Sequence, residues 1–431
     1  MSRPASAWRA LLSRFAPSFS APSFVLFSDL VSAWALTTAR RSIVSMVGVM
    51  DPALRSAHDA YHRLVRAGAW SLSALFATLV SLVVAQAMRD RTGRLVCYLD
   101  DTLFHRPGRS VEGAASWRDA VRSTRSKVVY ARGLNLVVLG VRVRAPWGGM
   151  EISIPVNMRL HRKNGTTMPE LAAQMMAELA TWLPEESFVL CADGAYATLA
   201  GHGLSRCAVV SRMRSDAALF DPPPPKTGKR GRPRKKGKRL PTPPKLAASA
   251  KAWQEVELDW RGEKKTRLVW TKDVLWYRVC PEALVRLVVV RDPEGIEHDD
   301  YFFTTDLEMA PDEVVEVYAG RWSIELCYRQ VKQDLGGQQP QSWKDKGPER
   351  AAGLSFFLYG AIWIWYITVS GERPRFSVTP WYPKKRLPSF ADALAELRRV
   401  LWRERISASS AAPPLNEETV TLLIEALAVA A

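Results

Sequence analysis

Several things are scarce in this 431-residue chain, and each scarcity excludes something. There are five cysteines, Cys97, Cys191, Cys207, Cys280 and Cys327. They are odd in number and include no C-x-x-C pair, so neither a disulfide framework nor a zinc ribbon is expected. They read as reduced core thiols of a cytosolic protein. Of six histidines only His58 and His62 share i, i+4 spacing, with no further ligand near them. An imidazole metal site and a histidine general base are therefore not expected. Long uncharged runs are few. The run 24–36 is interrupted by Asp29 and shows no small-residue cleavage site, which argues against a signal peptide. Residues 71–88 and 351–369 hold 18 and 19 uncharged residues. Each has the length of a membrane span, but both read better as buried helices. Acidic residues are outnumbered, 43 against 60 Lys+Arg, for a net charge of +17. A large protein this basic is expected to meet a polyanion, nucleic acid first. A hydrophobic content of 47% marks the chain as globular, with length for two or three domains.

What is present centres on residues 317–332. Val317, Ile324, Tyr328, Val331 and Leu335 recur at steps of 7, 4, 3 and 4, one apolar stripe of a helix. Tyr318, Arg321, Glu325 and Lys332 recur at steps of 3, 4 and 7. On a continuous helix these four fall within an arc of roughly 60° that borders the stripe. A carboxylate between an arginine and a lysine, at the edge of a buried face, suits a site that holds a metal and a phosphate together. The spacing alone fits a solvated Glu–Arg ion pair as well.

Two aspartates stand upstream at the ends of apolar runs. Residues 95–99 lead into Asp100-Asp101-Thr102, and 187–192 into Asp193-Gly194-Ala195-Tyr196. Such runs read as buried strands, and a carboxylate at the strand end points into the cleft where ligands collect. Turn or cap roles are the plainer alternative. A glycine after Asp193 lets the backbone turn tightly. Between the aspartates, 128–143 and 152–160 read as strands joined by a turn at Trp147-Gly148-Gly149, and 168–183 as an amphipathic helix begun by Pro169.

Tyr318, Arg321, Glu325 and Lys332 carry a resemblance. Tyr, two residues, Arg, three residues, Glu, six residues, Lys is similar to the signature around the last catalytic acid in one branch of bacterial insertion-sequence transposases, which are DDE enzymes. Asp100 followed by Thr102, and Asp193 followed by Tyr196, resemble that family's first two acids, with Asp101 the alternative first acid. The resemblance implies an α/β fold with an RNase H-like core, a mainly β insertion between the second and third acids, and helical N- and C-terminal regions. It implies metal-dependent strand cleavage and strand transfer at the ends of an insertion sequence, that is, cut-and-paste DNA transposition. Asp100, Asp193 and Glu325 would hold two Mg²⁺ (or Mn²⁺) ions, Asp100 between them. Arg321 and Lys332 would position DNA phosphates, and Tyr318 would contact the strand or brace the helix. The partners implied are double-stranded DNA and a second copy of the chain when assembled on DNA, with no membrane and a cytoplasmic, nucleoid-associated location. The alternative is a transposase-derived DNA-binding protein without catalytic activity.

The organisation expected on this basis is a helical DNA-binding region at 1–90, the first part of the core at 91–220, an insertion at 221–305, the second part of the core with the catalytic helix at 306–371, and a helical region at 372–431. Strand 207–213 is flanked by Arg212 and Arg214, candidates for DNA contact. Residues 226–239 hold nine Lys or Arg in fourteen residues. Within them Arg230, Arg232, Arg234, Lys235 and Lys236 surround a Gly-Arg-Pro core that resembles AT-hook peptides, which lay arginines into a narrow minor groove. The stretch 221–250 is expected to be disordered without DNA. Strands are expected at 253–258, 267–270, 275–279 and 283–290. Tyr301-Phe302-Phe303 reads as a core strand, with base stacking a further role in related enzymes.

Overall fold

Where apolar residues run unbroken, the strands are covered on both sides. A computed structural model describes residues 3–429 except 89–92, 125, 226–233, 261–262, 381 and 409–415. It opens with five helices, α1 (Arg3–Ser13), α2 (Ala21–Leu36), α3 (Ile43–Gly48), α4 (His58–Ala67) and α5 (Leu72–Leu82). Four strands follow, β1 (Leu95–His105), β2 (Ala115–Arg118), β3 (Tyr130–Val143) and β4 (Ile152–His161). Helix α6 (Met168–Trp182) leads to β5 (Phe188–Ala192) and β6 (Cys207–Arg212). Then come α7 (Pro243–Ser249), β7 (Gln254–Trp260), β8 (Glu263–Val274), β9 (Val285–Arg291) and β10 (Asp300–Thr304). Helices α8 (Pro311–Gly320), α9 (Trp322–Gln333), α10 (Gly347–Ser370), α11 (Phe390–Ala408) and α12 (Glu417–Val429) complete the chain.

All ten strands join one sheet. Its core half runs β4-β3-β1-β5-β6, with β3 antiparallel to both β4 and β1. β5 lies parallel to β1, and β6 parallel to β5. Three antiparallel strands, a helix and two parallel strands make the RNase H-like core. β5 is buried along its whole length, as a parallel strand under helices must be. Helix α6 starts at a capping box, in which Thr167 accepts from the Glu170 N–H and the Glu170 carboxylate accepts in return from the Thr167 N–H.

The strands between the second and third acids do not stand apart as a unit. β10 pairs with β6, and β9, β8 and β7 extend the same sheet in antiparallel order. Residues 275–279, expected as a strand, form a turn instead. The Val279 and Cys280 N–H groups both donate to the Trp276 carbonyl. The run is apolar because Leu275, Trp276 and Cys280 are buried, not because it is paired along a ladder. Of the stretch 221–250 expected to be disordered, 226–233, with Arg230 and Arg232, lie outside the described residues. The rest departs from the expectation. The Leu240 N–H donates to the Leu219 carbonyl, Lys236 lies 4.4 Å from the Phe220 ring, and α7 buries Leu246 and Ala247. A few apolar residues among the prolines are enough to anchor it.

The flanking helices pack together across the ends of the chain. Phe15 packs edge-on against Phe357, the Trp365 indole N–H donates to the Pro4 carbonyl, and Arg398 donates to the Ala35 carbonyl. The uncharged run 71–88 is helical only to Leu82 and goes on as a π turn over Val83–Ala87. Among the described residues α10 alone is a single helix long and apolar enough to cross a membrane, and 89% of its apolar window is buried. It lies on β4, α5, α1 and α11, which makes it the core helix that the sequence pattern predicted.

Candidate active site

The register of two parallel strands sets the site. The β1–β5 ladder ends at the pair Leu99 and Ala192. Asp100 and Asp193 are the next residue of each strand. β1 itself does not end there, contrary to expectation. It continues to His105 because β3 is long enough to pair with it through Gly133. Asp100 is thus inside a strand, at the point where its parallel neighbour stops. Asp193 leaves β5 and caps a 3-10 turn over Gly194–Gly201, its Oδ1 accepting from the Ala195 N–H at 2.6 Å. Gly194 is absent from the positive-φ glycines, so a left-handed turn is not why it is there.

The helix expected over 317–332 is two helices. α8 stops at Gly320 and α9 starts at Trp322. At the elbow the Arg321 N–H donates to the Tyr318 carbonyl and the Ile324 N–H to the Arg321 carbonyl. The elbow is pressed against β1. A Cβ on Gly320 would clash with the hydroxyl of buried Tyr98 and with a Glu151 carboxylate oxygen, so a larger residue there would have to displace them or the elbow. The apolar stripe behaves as predicted, since Val317, Ile324, Tyr328, Val331 and Leu335 are all buried.

This contact brings Arg321 between two acids. Its Nη1 donates to Asp100 Oδ2 at 2.6 Å and its Nη2 to Glu325 Oε1 at 3.0 Å. Asp100 and Arg321 are nearly enclosed, with side chains 18% and 13% exposed, while Glu325 at 34% opens toward solvent. Burial pushes the Asp100 carboxyl up to about 7, against the pull of Arg321, with Asp101 and Asp193 adding to the rise. Burial disfavours the Arg321 charge as well, yet Asp100, Tyr318 and Glu325 outweigh it and hold the guanidinium above its ordinary range.

Asp101 turns the other way, as successive residues of a strand do. It accepts from the Tyr196 hydroxyl at 3.1 Å. Burial raises its carboxyl above the usual range, opposed by the hydrogen bonds from Tyr196 and Asn135.

The basic candidates divide. Lys332 lies 5.8 Å from the Phe104 ring and makes no ion pair among the described residues, and burial lowers its ammonium below the ordinary range. Tyr318 packs against Phe302, ring centroids 4.5 Å apart and tilted by 43°, which holds that side of the elbow to β10. Phe302 and Phe303 are buried in β10. Arg212 and Arg214 are already matched, by Asp300 and Asp216. Arg234, Lys235 and Lys236 are exposed, and Lys236 is engaged by Phe220 and Tyr277. Sequence reasoning missed Tyr98 and Glu151, which meet through a 2.6 Å hydrogen bond under Gly320. An apolar strand and a residue after a hairpin turn carry no signal of that meeting.

Among the described residues no three His, Cys, Asp or Glu side chains are grouped to hold a metal ion. The donors nevertheless fit one. Carboxylate oxygens suit Mg²⁺ or Mn²⁺, and Asp100 and Glu325 already converge on a single cationic group. Asp193, which adds to the rise of the Asp100 carboxyl, is the third acid that could join them.

The family model described as DDE superfamily endonuclease matches residues 14–277. No curated protein matches this chain. Among solved structures, the cryo-EM structure of the piggyBac transposase synaptic complex with hairpin DNA is similar at 11% identity and a TM-score of 0.42, over 99% of this chain and 85% of that one.

Proposed function

The chain belongs to the DDE superfamily endonucleases, and we propose that it is a DNA transposase of the bacterial insertion-sequence branch marked by the Tyr-Arg-Glu-Lys signature, here Tyr318, Arg321, Glu325 and Lys332. It cuts and rejoins DNA at the ends of an insertion sequence by a cut-and-paste route. The observation that carries this reading is the bridge from Asp100 through Arg321 to Glu325 at the end of the β1–β5 ladder. It joins a strand acid to a helix acid 225 residues later, with the signature arginine between them.

In this reading Asp100, Asp193 and Glu325 hold two divalent ions. Such ions make a water or a 3′-hydroxyl nucleophilic and stabilise the leaving oxygen of a phosphodiester. The chain's own residues do the rest. Glu325, the most open of the bridged groups, faces the side from which DNA arrives. Lys332, a cation without an ion pair among the described residues, takes a phosphate. Tyr318 packs against Phe302 beside the elbow. Arg230, Arg232, Arg234 and Lys235 add charge attraction to the backbone. Arg212 and Arg214 contribute less, because Asp300 and Asp216 neutralise them. Double-stranded DNA is the partner, a second copy joins on it, and the protein works in the cytoplasm at the nucleoid.

The second reading is a transposase-derived DNA-binding protein without catalysis. It is favoured by the carboxylates being engaged by Arg321 instead of open. The test is cleavage of DNA carrying the flanking element's ends, in Mg²⁺ or Mn²⁺, by wild type and Glu325→Gln. Metal-dependent cuts at the ends, lost in Glu325→Gln while DNA binding persists, support the transposase. Tight binding without cleavage by the wild type in either metal supports the second reading.

A further inference from the structure

Arg321 holds one oxygen of each of two carboxylates to which the proposed function assigns a metal. Its two terminal nitrogens are 2.6 and 3.0 Å from Asp100 and Glu325. A divalent ion held by both carboxylates would lie against that guanidinium, and two cations at such a distance repel strongly in a poorly solvated site. The two cations compete for the same pair of carboxylates, and three features point to Arg321 as the one that moves. It sits at the elbow between α8 and α9, where the backbone is not locked into a continuous helix. Its Nε is buried and finds no hydrogen-bond partner among the described residues, so its present pose is incompletely satisfied. Its fork of N–H donors matches a phosphate as well as it matches carboxylates. Eleven residues on along α9, Lys332 supplies a second cation, with no ion pair among the described residues and only Asp119 nearby to favour its charge.

We propose that Arg321 is an internal counter-ion for the metal-free acids and that it passes to a DNA phosphate when metal binds, so that DNA and divalent metal bind cooperatively. The inference rests on the reading of Asp100 and Glu325 as metal-holding acids. Without DNA, the guanidinium competes with metal for the carboxylates and lowers metal affinity. With DNA, a phosphate draws the guanidinium away and the competition ends. Linkage then requires metal to raise DNA affinity by the same factor. Arg321 is in this sense a positioning residue that couples two ligands, in addition to any direct contact with the strand.

The test measures binding, with the full chain. Mn²⁺ affinity is measured by calorimetry on free wild type, Arg321→Gln, Arg321→Lys and Glu325→Gln, with circular dichroism as the check on folding. DNA affinity is measured by fluorescence anisotropy of an end-carrying duplex, with and without Mn²⁺ at constant ionic strength. Arg321→Gln is expected to bind Mn²⁺ about 5- to 150-fold more tightly than wild type, the usual span of a coupling between two sites. Arg321→Lys, which keeps a charge within reach, is expected between them, and it carries the test if Arg321→Gln does not fold. Wild-type DNA affinity is expected to rise with Mn²⁺, and that dependence to shrink in Arg321→Gln. Equal or weaker Mn²⁺ binding by the Arg321 variants, or metal-independent DNA binding by wild type, overturns the inference alone, provided Glu325→Gln weakens Mn²⁺ binding. Mn²⁺ binding that is indifferent to Glu325→Gln overturns both the inference and the site on which it rests.

Discussion

The two faces of β1 hold adjacent carboxylates in opposite circumstances. Asp100 faces α8 and α9 and meets a guanidinium, with Glu325 on the guanidinium's other side. Asp101 faces α6 and the turn after β5, and meets the neutral hydroxyl of Tyr196. Both are largely enclosed, and loss of solvent raises both. The difference is in what answers the charge. On one face it is a cation that is itself shared with a second acid near solvent, an arrangement that can exchange one cation for another. On the other it is a pair of hydrogen-bond donors, Tyr196 and Asn135, while Asp193 adds to the rise there as it does at Asp100. Two residues that sequence reasoning left as alternatives are thus separated by the pleat of the strand. In the proposed function the first is the metal-holding acid and the second braces the fold.

Gly320→Ala is the strongest way to break this contrast short of removing an acid. The new Cβ meets Tyr98 and Glu151, so the elbow has to move away from β1. A loss of about 1–3 kcal/mol in denaturant unfolding is expected from the overpacking. A displacement of Glu325 by about 1 Å is expected to cost about 10²-fold in cleavage. Unchanged stability and cleavage would mean that the close approach does not hold the site together. Tyr196→Phe acts on the opposite face. It removes a donor from buried Asp101 and is expected to cost about 1–3 kcal/mol of stability. Cleavage by the folded variant should stay near wild type, and a large kinetic loss would place Asp101 in the chemistry. The smallest effect is expected from Lys332→Gln. Stability should move by no more than about 0.5 kcal/mol. DNA binding should weaken across sequences, and the slope of log affinity against log salt should fall by about one unit. An unchanged slope would remove Lys332 from the phosphate path.

Much of this was legible in the sequence, for identifiable reasons. β5 and the first half of β1 are apolar without interruption because the sheet is covered on both faces, and that pattern marked the positions of Asp100 and Asp193. The apolar stripe from Val317 to Leu335 was legible because burial follows helical period. What escaped depended on tertiary partners. The second half of β1 exists because β3 extends beside it, which no local pattern in 100–105 announces. The break at Arg321 follows from the approach of Gly320 to Tyr98, residues 222 positions apart. The turn at 276–280 was mistaken for a strand because a buried turn and a buried strand share composition. The Arg321 bridge was half legible. Glu325 as a partner followed from i, i+4 spacing, whereas Asp100 as the other partner required the fold.

The central claim is that the Asp100 face of β1 carries the chemistry. Its most direct test is the cleavage rate on end-carrying DNA with Mg²⁺ for wild type, Asp100→Asn and Asp101→Asn, each shown to be folded and to bind the DNA. The account predicts a loss of about 10³-fold or more for Asp100→Asn, the several kcal/mol that a metal-holding carboxylate supplies, and a loss within about tenfold for Asp101→Asn. The reverse order, or equal losses, would contradict it.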